Sequence, residues 1–367
     1  MKSIYIWQQT DWPDFTWDDA KLSYKLGRVR GLQGRLVGRM SALGFDLKNS
    51  AMLDALTADI TKSSEIEGEI LNVDQVRSSV ARHLGIEIEG LPGADRYIDG
   101  VVQVMIDATQ NYMQPLTAER FFNWHAALFP TGRSGVYKIT VADWRQGAEP
   151  MQVISGAMGK EKIHYQAPDS DHVPYQMKLF LEWVNGNQKI DPVLKAAIAH
   201  LWFVTIHPFD DGNGRISRTI TDLFLARADE MPYRFYSMSA EIRKQRKRYY
   251  EMLEKTQKGS LDITNWLEWF LDCLEAALLD TEKSISTILQ KAAFWDKYRL
   301  VSMNERQIKI VNLFWDGFDG KLTSSKWAKI TKCSPDTALR DIQDLITKGV
   351  FRKTDEGGRS TNYELVL

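Results

Sequence analysis

Two apolar helical patterns joined by a short polar loop constrain the fold of this 367-residue chain more than any other feature. The first pattern starts at Asp191-Pro192, a capping residue followed by proline at the first helical position, and keeps helical spacing up to residue 205. The second runs through Ile216, Ile220 and Leu223. We therefore expect two buried helices joined by a loop that starts at residue 207 and ends where residues 213–215 form the first turn of the second helix.

The loop has the composition of an anion-binding turn. It opens on His207, and Pro208 disfavours a helical conformation for the residue before it, so the chain should leave the first helix there. Gly212 and Gly214 permit close approach to the backbone where the second helix starts. Backbone N–H groups at a helix N-terminus bind anions, and the loop is therefore predicted to do so.

Two arginines and a carboxylate specify the anion further. Arg215 and Arg218 share the first turn of the second helix, where each positive charge opposes the helix dipole by about 0.3 to 1 kcal/mol. Cations at that end favour a bound anion, and phosphate suits the planar donor geometry of arginine. Asp211 is placed to hold Mg²⁺, which binds through one or two carboxylates and phosphate oxygens.

Residues 207–218, read as HPFDDGNGRISR, match every specified position of the motif His-x-Phe-x-(Asp or Glu)-Gly-Asn-Gly-Arg-x-x-Arg. By this run the chain resembles the Fic family. The resemblance implies a mainly α fold, with a helical core and a short β-hairpin flap. It also implies an enzyme that transfers AMP from ATP to a Ser, Thr or Tyr hydroxyl of a protein in the presence of Mg²⁺.

The resemblance also implies a function for each matching residue. His207 would be the general base that takes the proton of the target hydroxyl, and Asp211 would be the Mg²⁺ ligand. Asn213, with the backbone amides of the adjacent Gly212 and Gly214, would bind the α-phosphate. The β-phosphate and γ-phosphate contacts would come from Arg215 and Arg218, in that order.

A second segment, 63–68, resembles the inhibitory helix that many Fic proteins carry. A helical pattern over about 51–68 ends at Gly68, and Ser63 and Glu67 share one helix face. Glu67 is a carboxylate in the last turn of its helix, where the helix dipole disfavours a negative charge, just as it disfavours Arg218 in a first turn. A pair between Glu67 and Arg218 would compensate both charges. The resemblance implies that Glu67 blocks placement of the γ-phosphate and that the enzyme inhibits itself.

Two short strand patterns, 151–156 and 162–165, surround a loop rich in glycine and charge and predict a hairpin. It resembles the Fic flap. Val153, Ile154 and Ser155 would then hold a target segment by strand addition.

From Asn304 onward the chain predicts three helices and a terminal hairpin with a turn at 356–359, a plan that resembles a winged-helix (α+β) domain. Its recognition helix would span 334–348. Charge over 304–367 is nearly balanced, so DNA binding and protein binding both stay open. The candidate phosphate contacts are Lys332, Arg340, Arg352, Lys353 and Arg359.

The length predicts two to three domains. The resemblances imply a helical extension over 1–115, a Fic catalytic core over 116–300 and the winged helix over 301–367. The net charge of −1 indicates neither nucleic acid nor membrane as a general partner. Two distant cysteines favour a reducing cytoplasm, and no segment has the length or apolarity of a membrane span. The resemblance implies a homodimer and a protein substrate that includes the chain itself.

Two alternatives remain open at this point. The chain could be a DNA-binding regulator in which the Fic site senses nucleotide and transfers little. It could also be a Fic enzyme that mainly removes AMP.

Overall fold

A computed structural model describes residues 5–41, 44–87, 90, 92–156, 160–315, 318, 320–354 and 362–366. Contacts divide the chain into two compact units, Met1–Thr281 and Glu282–Leu367. The described residues are mostly helical, with three two-stranded antiparallel hairpins. The mainly α fold expected from the sequence is therefore confirmed, whereas the division into three parts remains a prediction.

The first unit contains two short 3-10 helices, at Ile6–Gln8 and Ser170–His172, beside its regular elements. In chain order these elements are α1 (Asp19–Ser41), α2 (Phe45–Ile66), α3 (Val73–Leu84), α4 (Arg96–Gln110), α5 (Ala118–Leu128), β1 (Arg133–Ser134), β2 (Tyr137–Lys138), β3 (Gln152–Ser155), β4 (Lys162–Gln166), α6 (Val173–Asn185), α7 (Pro192–Ile206), α8 (Asn213–Asp229), α9 (Met238–Lys244) and α10 (Arg246–Gln257). Helix α11 (Thr264–Lys297) starts in this unit.

Helix α7 forms the centre of the first unit. Residues 196–206 are all buried, so the helix presents no polar face, as is typical of a helix surrounded by others. The Asp191 side chain accepts a hydrogen bond from the backbone N–H of Val193 and caps the helix, as predicted. Helix α8 packs along α7 and is buried over most of its length. The two helices thus fix the loop between them.

Helix α2 is attached to the same core through a buried polar contact. Asp59 accepts hydrogen bonds from the hydroxyl of Ser237, at 2.6 Å, and the backbone N–H of Ser239, at 2.9 Å. Asp59 and Ser239 are both buried, so these bonds replace contacts with water that the groups cannot make. They hold α2 against the start of α9 and so determine where its last turn lies.

The second unit has its own apolar core around Trp327, Ile310, Ile342 and Phe351. The end of α11 contributes to this core, and the other elements are α12 (Glu305–Trp315), α13 (Ser324–Thr331), α14 (Pro335–Thr347), β5 (Phe351–Lys353) and β6 (Tyr363–Leu365). Three helices followed by an antiparallel hairpin form where the sequence predicts them. The predicted turn at 356–359, which includes Arg359, lies outside the described residues.

Candidate active site

His207 lies at the end of α7 in a left-handed conformation, with φ 53° and ψ 58°. The following Pro208 disfavours continuation of the helix, as predicted. The ring Nδ1 lies 3.2 Å from the carbonyl oxygen of Val204, which can only accept, so Nδ1 carries the proton in this contact. Nε2 is then left as the acceptor of the neutral ring, the tautomer that a general base requires.

Burial is the main reason why the pKa of His207 falls to about 4. The hydrogen bond to Val204 and the charges of Asp211 and Glu67 oppose this shift but are too weak to reverse it. The imidazole is therefore neutral at pH 7, and its Nε2 lone pair is free to take a proton.

Gly212 precedes the first residue of α8, with φ 82°. A side chain at this position would be strained, and its Cβ would lie 2.8 Å from the ring of Phe129. Glycine is therefore required both by the backbone conformation and by the close approach of Phe129. The turn leaves the backbone N–H groups at the start of α8 without helical partners, which is the arrangement that binds anions.

The Asn213 side chain is buried and makes two hydrogen bonds to the backbone of the loop. Its Oδ1 accepts from the backbone N–H of Phe209 at 3.0 Å, and its Nδ2 donates to the carbonyl of Phe209 at 2.8 Å. The side-chain amide therefore fixes the shape of the turn. Asn213 also lines the cavity described below, and its contact with an α-phosphate remains a prediction.

Asp211 has one carboxylate oxygen 2.6 Å from the backbone N of Gly212, while the other accepts from the hydroxyl of Ser134. The neighbouring Asp210 accepts from the backbone N–H of Thr140 at 2.8 Å. Both carboxylates line the same cavity. Ser134 lies in β1, far from the motif in sequence, and nothing in the sequence indicated that it would contact Asp211.

Arg218 is almost fully buried, and the end of α2 surrounds it. Nε and Nη2 donate to the hydroxyl and the carbonyl of Ser63, each at 2.9 Å, and Nη2 also donates to Oε1 of Glu67 at 2.7 Å. Nη1 is buried and has no hydrogen-bond partner among the described residues. The ion pair raises the pKa of Arg218 although burial opposes this, so the guanidinium stays charged.

Glu67 follows the last residue of α2, and Gly68 after it has φ 92°. The helix therefore ends where the sequence predicts. A Cβ at Gly214 would overlap Oε1 of Glu67, so only glycine lets the carboxylate lie against the first turn of α8. The carbonyl of Ile66 accepts from Nε of Arg246 at 2.6 Å, which fixes this end of α2 against α10.

Arg215 has a carboxylate partner that the sequence analysis missed. Its Nη1 lies 3.0 Å from Oε2 of Glu69 and 2.7 Å from the hydroxyl of Tyr97, which itself donates to Glu69 at 2.5 Å. The guanidinium also lies 4.9 Å from the ring centre of Phe129. Both motif arginines are thus paired with carboxylates of residues 67–69. The alternation of glutamates at 65, 67 and 69 was the available signal.

A cavity of about 540 Å³ is lined by residues of the motif, of the β3–β4 hairpin and of α10, but not by Arg215 or Arg218. It is lined by His207, Asp211, Gly214 and Glu67 on the side of the motif, and by the aromatic rings of Tyr249 and Tyr250 on α10. This volume is in the range that holds a nucleotide-sized ligand, since such pockets measure about 300 to 1,000 Å³.

No cluster of three or more His, Cys, Asp or Glu able to hold a metal occurs in the described part of the chain. A Mg²⁺ ion at Asp211 would therefore need oxygens from phosphate and water, which is its usual mode of binding.

Strands β3 and β4 form the predicted hairpin beside the cavity. Val153 pairs with Tyr165, Ile154 pairs with Ile163 and Ser155 pairs with Lys162. Ile154 and Ile163 are respectively 54% and 45% exposed, which leaves apolar surface on the hairpin. In the described residues β3 pairs only with β4, so its outer edge can accept another strand.

Comparison with family models gives two matches. Residues 115–225 match the Fic/DOC family, and residues 5–86 match a domain of unknown function, DUF4172. The second match includes Ser63, Glu67 and Gly68.

Curated relatives of this chain are named protein adenylyltransferase Fic. The protein from Culex quinquefasciatus is 39% identical over 249 residues, which are 65% of this chain and 43% of that protein. The one from Aedes aegypti is 28% identical over 237 residues, which are 61% of this chain and 41% of that protein. The matches thus span less than half the length of these relatives.

The fold is similar to that of a Fic family protein from Desulfovibrio desulfuricans G20, with a TM-score of 0.54 and 21% identity over 96% of this chain and 98% of that one. No helix in the described residues is both long and apolar enough to cross a membrane. Residues 115–225 are thus similar to the Fic/DOC family, and residues 5–86, which precede them, are similar to DUF4172.

Proposed function

We propose that this chain is a protein adenylyltransferase that transfers AMP from ATP to a hydroxyl of a protein and that Glu67 holds it in check. The observation that carries the proposal is the single cavity lined by a neutral His207 and by the N-terminal turn of α8. Phosphoryl-type transfer depends mainly on positioning and on compensation of charge, which this turn and its arginines supply.

The substrates would be arranged by residues that already line the cavity. The backbone amides at the start of α8 would bind the α-phosphate, with Asn213 keeping the turn in shape. Asp211 would hold Mg²⁺, which neutralises phosphate charge when bound. The flap would hold the target by strand addition to β3, so that its hydroxyl meets Nε2 of His207.

The ion pairs of the two motif arginines support the proposed inhibition. Glu67 and Glu69 place carboxylates beside two guanidiniums at the positive end of α8, where phosphate oxygens would otherwise be favoured. The unpartnered Nη1 of Arg218 is a buried donor that an incoming γ-phosphate would satisfy. Binding of ATP in a productive geometry therefore competes with these two ion pairs.

Intact-mass measurement of the purified chain and of added proteins after incubation with ATP and Mg²⁺ tests the proposal. A covalent mass increase equal to one adenylyl group supports it. Nucleotide binding without any covalent product, even after Glu67 is replaced by glycine, contradicts it.

Replacing Glu69 with glutamine is expected to tighten binding of a non-hydrolysable ATP analogue several-fold, because Arg215 loses its carboxylate partner and becomes available to phosphate. The effect should be moderate, since Glu69 is 44% exposed and solvent screens its ion pair. Isothermal titration calorimetry measures the affinity. Glu87→Gln, at an exposed glutamate beyond α3, is the matched control. Equal affinities for both variants would contradict the competition between Glu69 and phosphate.

We also propose that the second unit is a winged-helix domain and that α14 contacts DNA. Arg340 is exposed on α14, whereas Arg352 is paired with Glu364 at 2.5 Å. Arg340→Ala is therefore expected to weaken the retention of duplex DNA in an electrophoretic shift assay and to lower its dependence on salt. No shift at low salt with the unaltered chain would contradict DNA binding and favour a protein partner for this unit.

A further inference from the structure

Three side chains at the flap form a hydrogen-bonded chain that the Fic motif does not include. The hydroxyl oxygen of Ser155 lies 2.6 Å from Nε2 of His164, and Nδ1 of the same ring lies 2.6 Å from Oε2 of Glu254. A hydroxyl on a histidine that is oriented by a carboxylate is the arrangement that activates a serine as a nucleophile. The three residues come from β3, β4 and α10, so the hairpin must pack on α10 to form the chain.

A β-bulge places His164 between its two partners. Val153 pairs with Tyr165 but Ile154 pairs with Ile163, which leaves His164 as an extra residue without a partner in the register. Bulges reorient a side chain relative to a regular strand. Here the histidine ring reaches Ser155 on the neighbouring strand and Glu254 on the helix at the same time.

The carboxylate of Glu254 determines which nitrogen of the His164 ring donates to it. Burial opposes ionisation of Glu254, but hydrogen bonds from Lys258 and His164 lower its pKa to about 2, so the carboxylate can only accept. Nδ1 of His164 must therefore carry a proton and donate it to this carboxylate. Nε2 is then the ring nitrogen that faces the Ser155 hydroxyl, and in the tautomer protonated on Nδ1 it can take the proton of that hydroxyl, as a base does from its nucleophile.

All three residues line the cavity that also contains His207 and Gly214. Ser155 is exposed and is itself a lining residue, so its hydroxyl borders the space that a bound nucleotide would occupy. We propose that Ser155 is an acceptor of AMP within its own chain and that His164 is its base. This inference rests on the proposed function, because ATP must bind with its α-phosphate at the start of α8.

Transfer of AMP to Ser155 needs ATP as its only co-reactant. The Oγ atom of Ser155 forms a bond to the α-phosphorus, and the bond from that phosphorus to the oxygen bridging to the β-phosphate breaks. Pyrophosphate leaves with the electron pair. The hydroxyl proton moves to Nε2 of His164, and the resulting imidazolium faces the carboxylate of Glu254. The product is a phosphodiester between Ser155 and the adenosine.

The full chain carrying Glu67→Gly, incubated with α-labelled ATP and Mg²⁺, tests the acceptor directly by peptide mapping. The expected result is an adenylyl group on Ser155, formed at a rate per chain that does not depend on chain concentration. Label at other residues with Ser155 unmodified overturns this inference and leaves the proposed function standing. A rate that rises in proportion to chain concentration overturns the intramolecular step. No label on any protein overturns both.

Variants in the same Glu67→Gly chain test the base. His164→Gln is expected to slow labelling of Ser155 by roughly 100-fold or more, the least that a general base contributes. Ser155→Thr keeps a hydroxyl and should retain label at position 155. Ser23→Ala removes an exposed hydroxyl that donates only to the carbonyl of Ala20 and should leave the Ser155 label unchanged. Thermal unfolding confirms that each variant is folded, and an unchanged rate in His164→Gln overturns the assignment of the base.

Discussion

Replacing His207 with alanine is expected to reduce transfer of labelled AMP to protein targets by roughly 10²- to 10⁴-fold, the contribution of a general base. ATP binding should be largely retained, because the proposed phosphate contacts come from the turn and helix that follow the histidine. Transfer is measured with α-labelled ATP in a chain that also carries Glu67→Gly, and binding by equilibrium dialysis.

Two further variants show whether the loss of AMP transfer comes from removal of the base or from strain on the backbone. His207 has φ 53°, a conformation that asparagine adopts more readily than alanine, so His207→Asn removes the base with less strain on the backbone. It should be as inactive as the alanine variant. His172→Ala removes an exposed histidine before α6 and should transfer AMP normally. Undiminished transfer by both His207 variants would show that another group takes the proton.

Replacing Glu67 with glycine is expected to raise the rate of AMP transfer several-fold, up to about tenfold. The lost contact is a charge-assisted hydrogen bond of 2.7 Å to a buried guanidinium, of a kind that contributes about 1.5 to 3 kcal/mol. Each 1.4 kcal/mol corresponds to a factor of about ten. The lower part of this range applies because the Glu67 side chain is 31% exposed and solvent screens it. Initial rates with α-labelled ATP measure the effect.

The matched control is Glu65→Gly, which introduces glycine into the same helix end. Glu65 pairs with Lys62 at 2.6 Å and Arg243 at 3.4 Å and is not among the residues that line the cavity. Its replacement should leave the rate near that of the unaltered chain. Equal rates for the unaltered chain and Glu67→Gly would refute the inhibitory function of Glu67. A rise of equal size in both variants would assign the effect to loosening of α2.

The helices around the site could be predicted because their signals are local. The Asp191-Pro192 cap, the break before Pro208 and the glycines at 68 and 212 each act on neighbouring backbone, and each lies where the sequence placed it. The hairpin at 152–166 formed for the same reason, since alternating strand residues and a glycine-rich loop are local features.

Ser134 and Tyr97 could not be predicted as polar partners of the site because they come from distant segments that no motif marks. Ser134 reaches Asp211 across 77 residues, and Tyr97 reaches Arg215 across 118. Helical periodicity says which face is buried but not which hydroxyl a neighbouring helix brings to it. The same limit applies to Asn213, whose function in the turn depends on the orientation of its amide and not on its position in the motif.

The central claim is that ATP binds with its α-phosphate at the start of α8, within reach of Nε2 of His207. Parallel incubations of the Glu67→Gly chain with α-labelled and γ-labelled ATP test it most directly, with label counted on denatured protein. Retention of the α-label with complete loss of the γ-label is the predicted result. Retention of the γ-label, or of neither label, would contradict the claim.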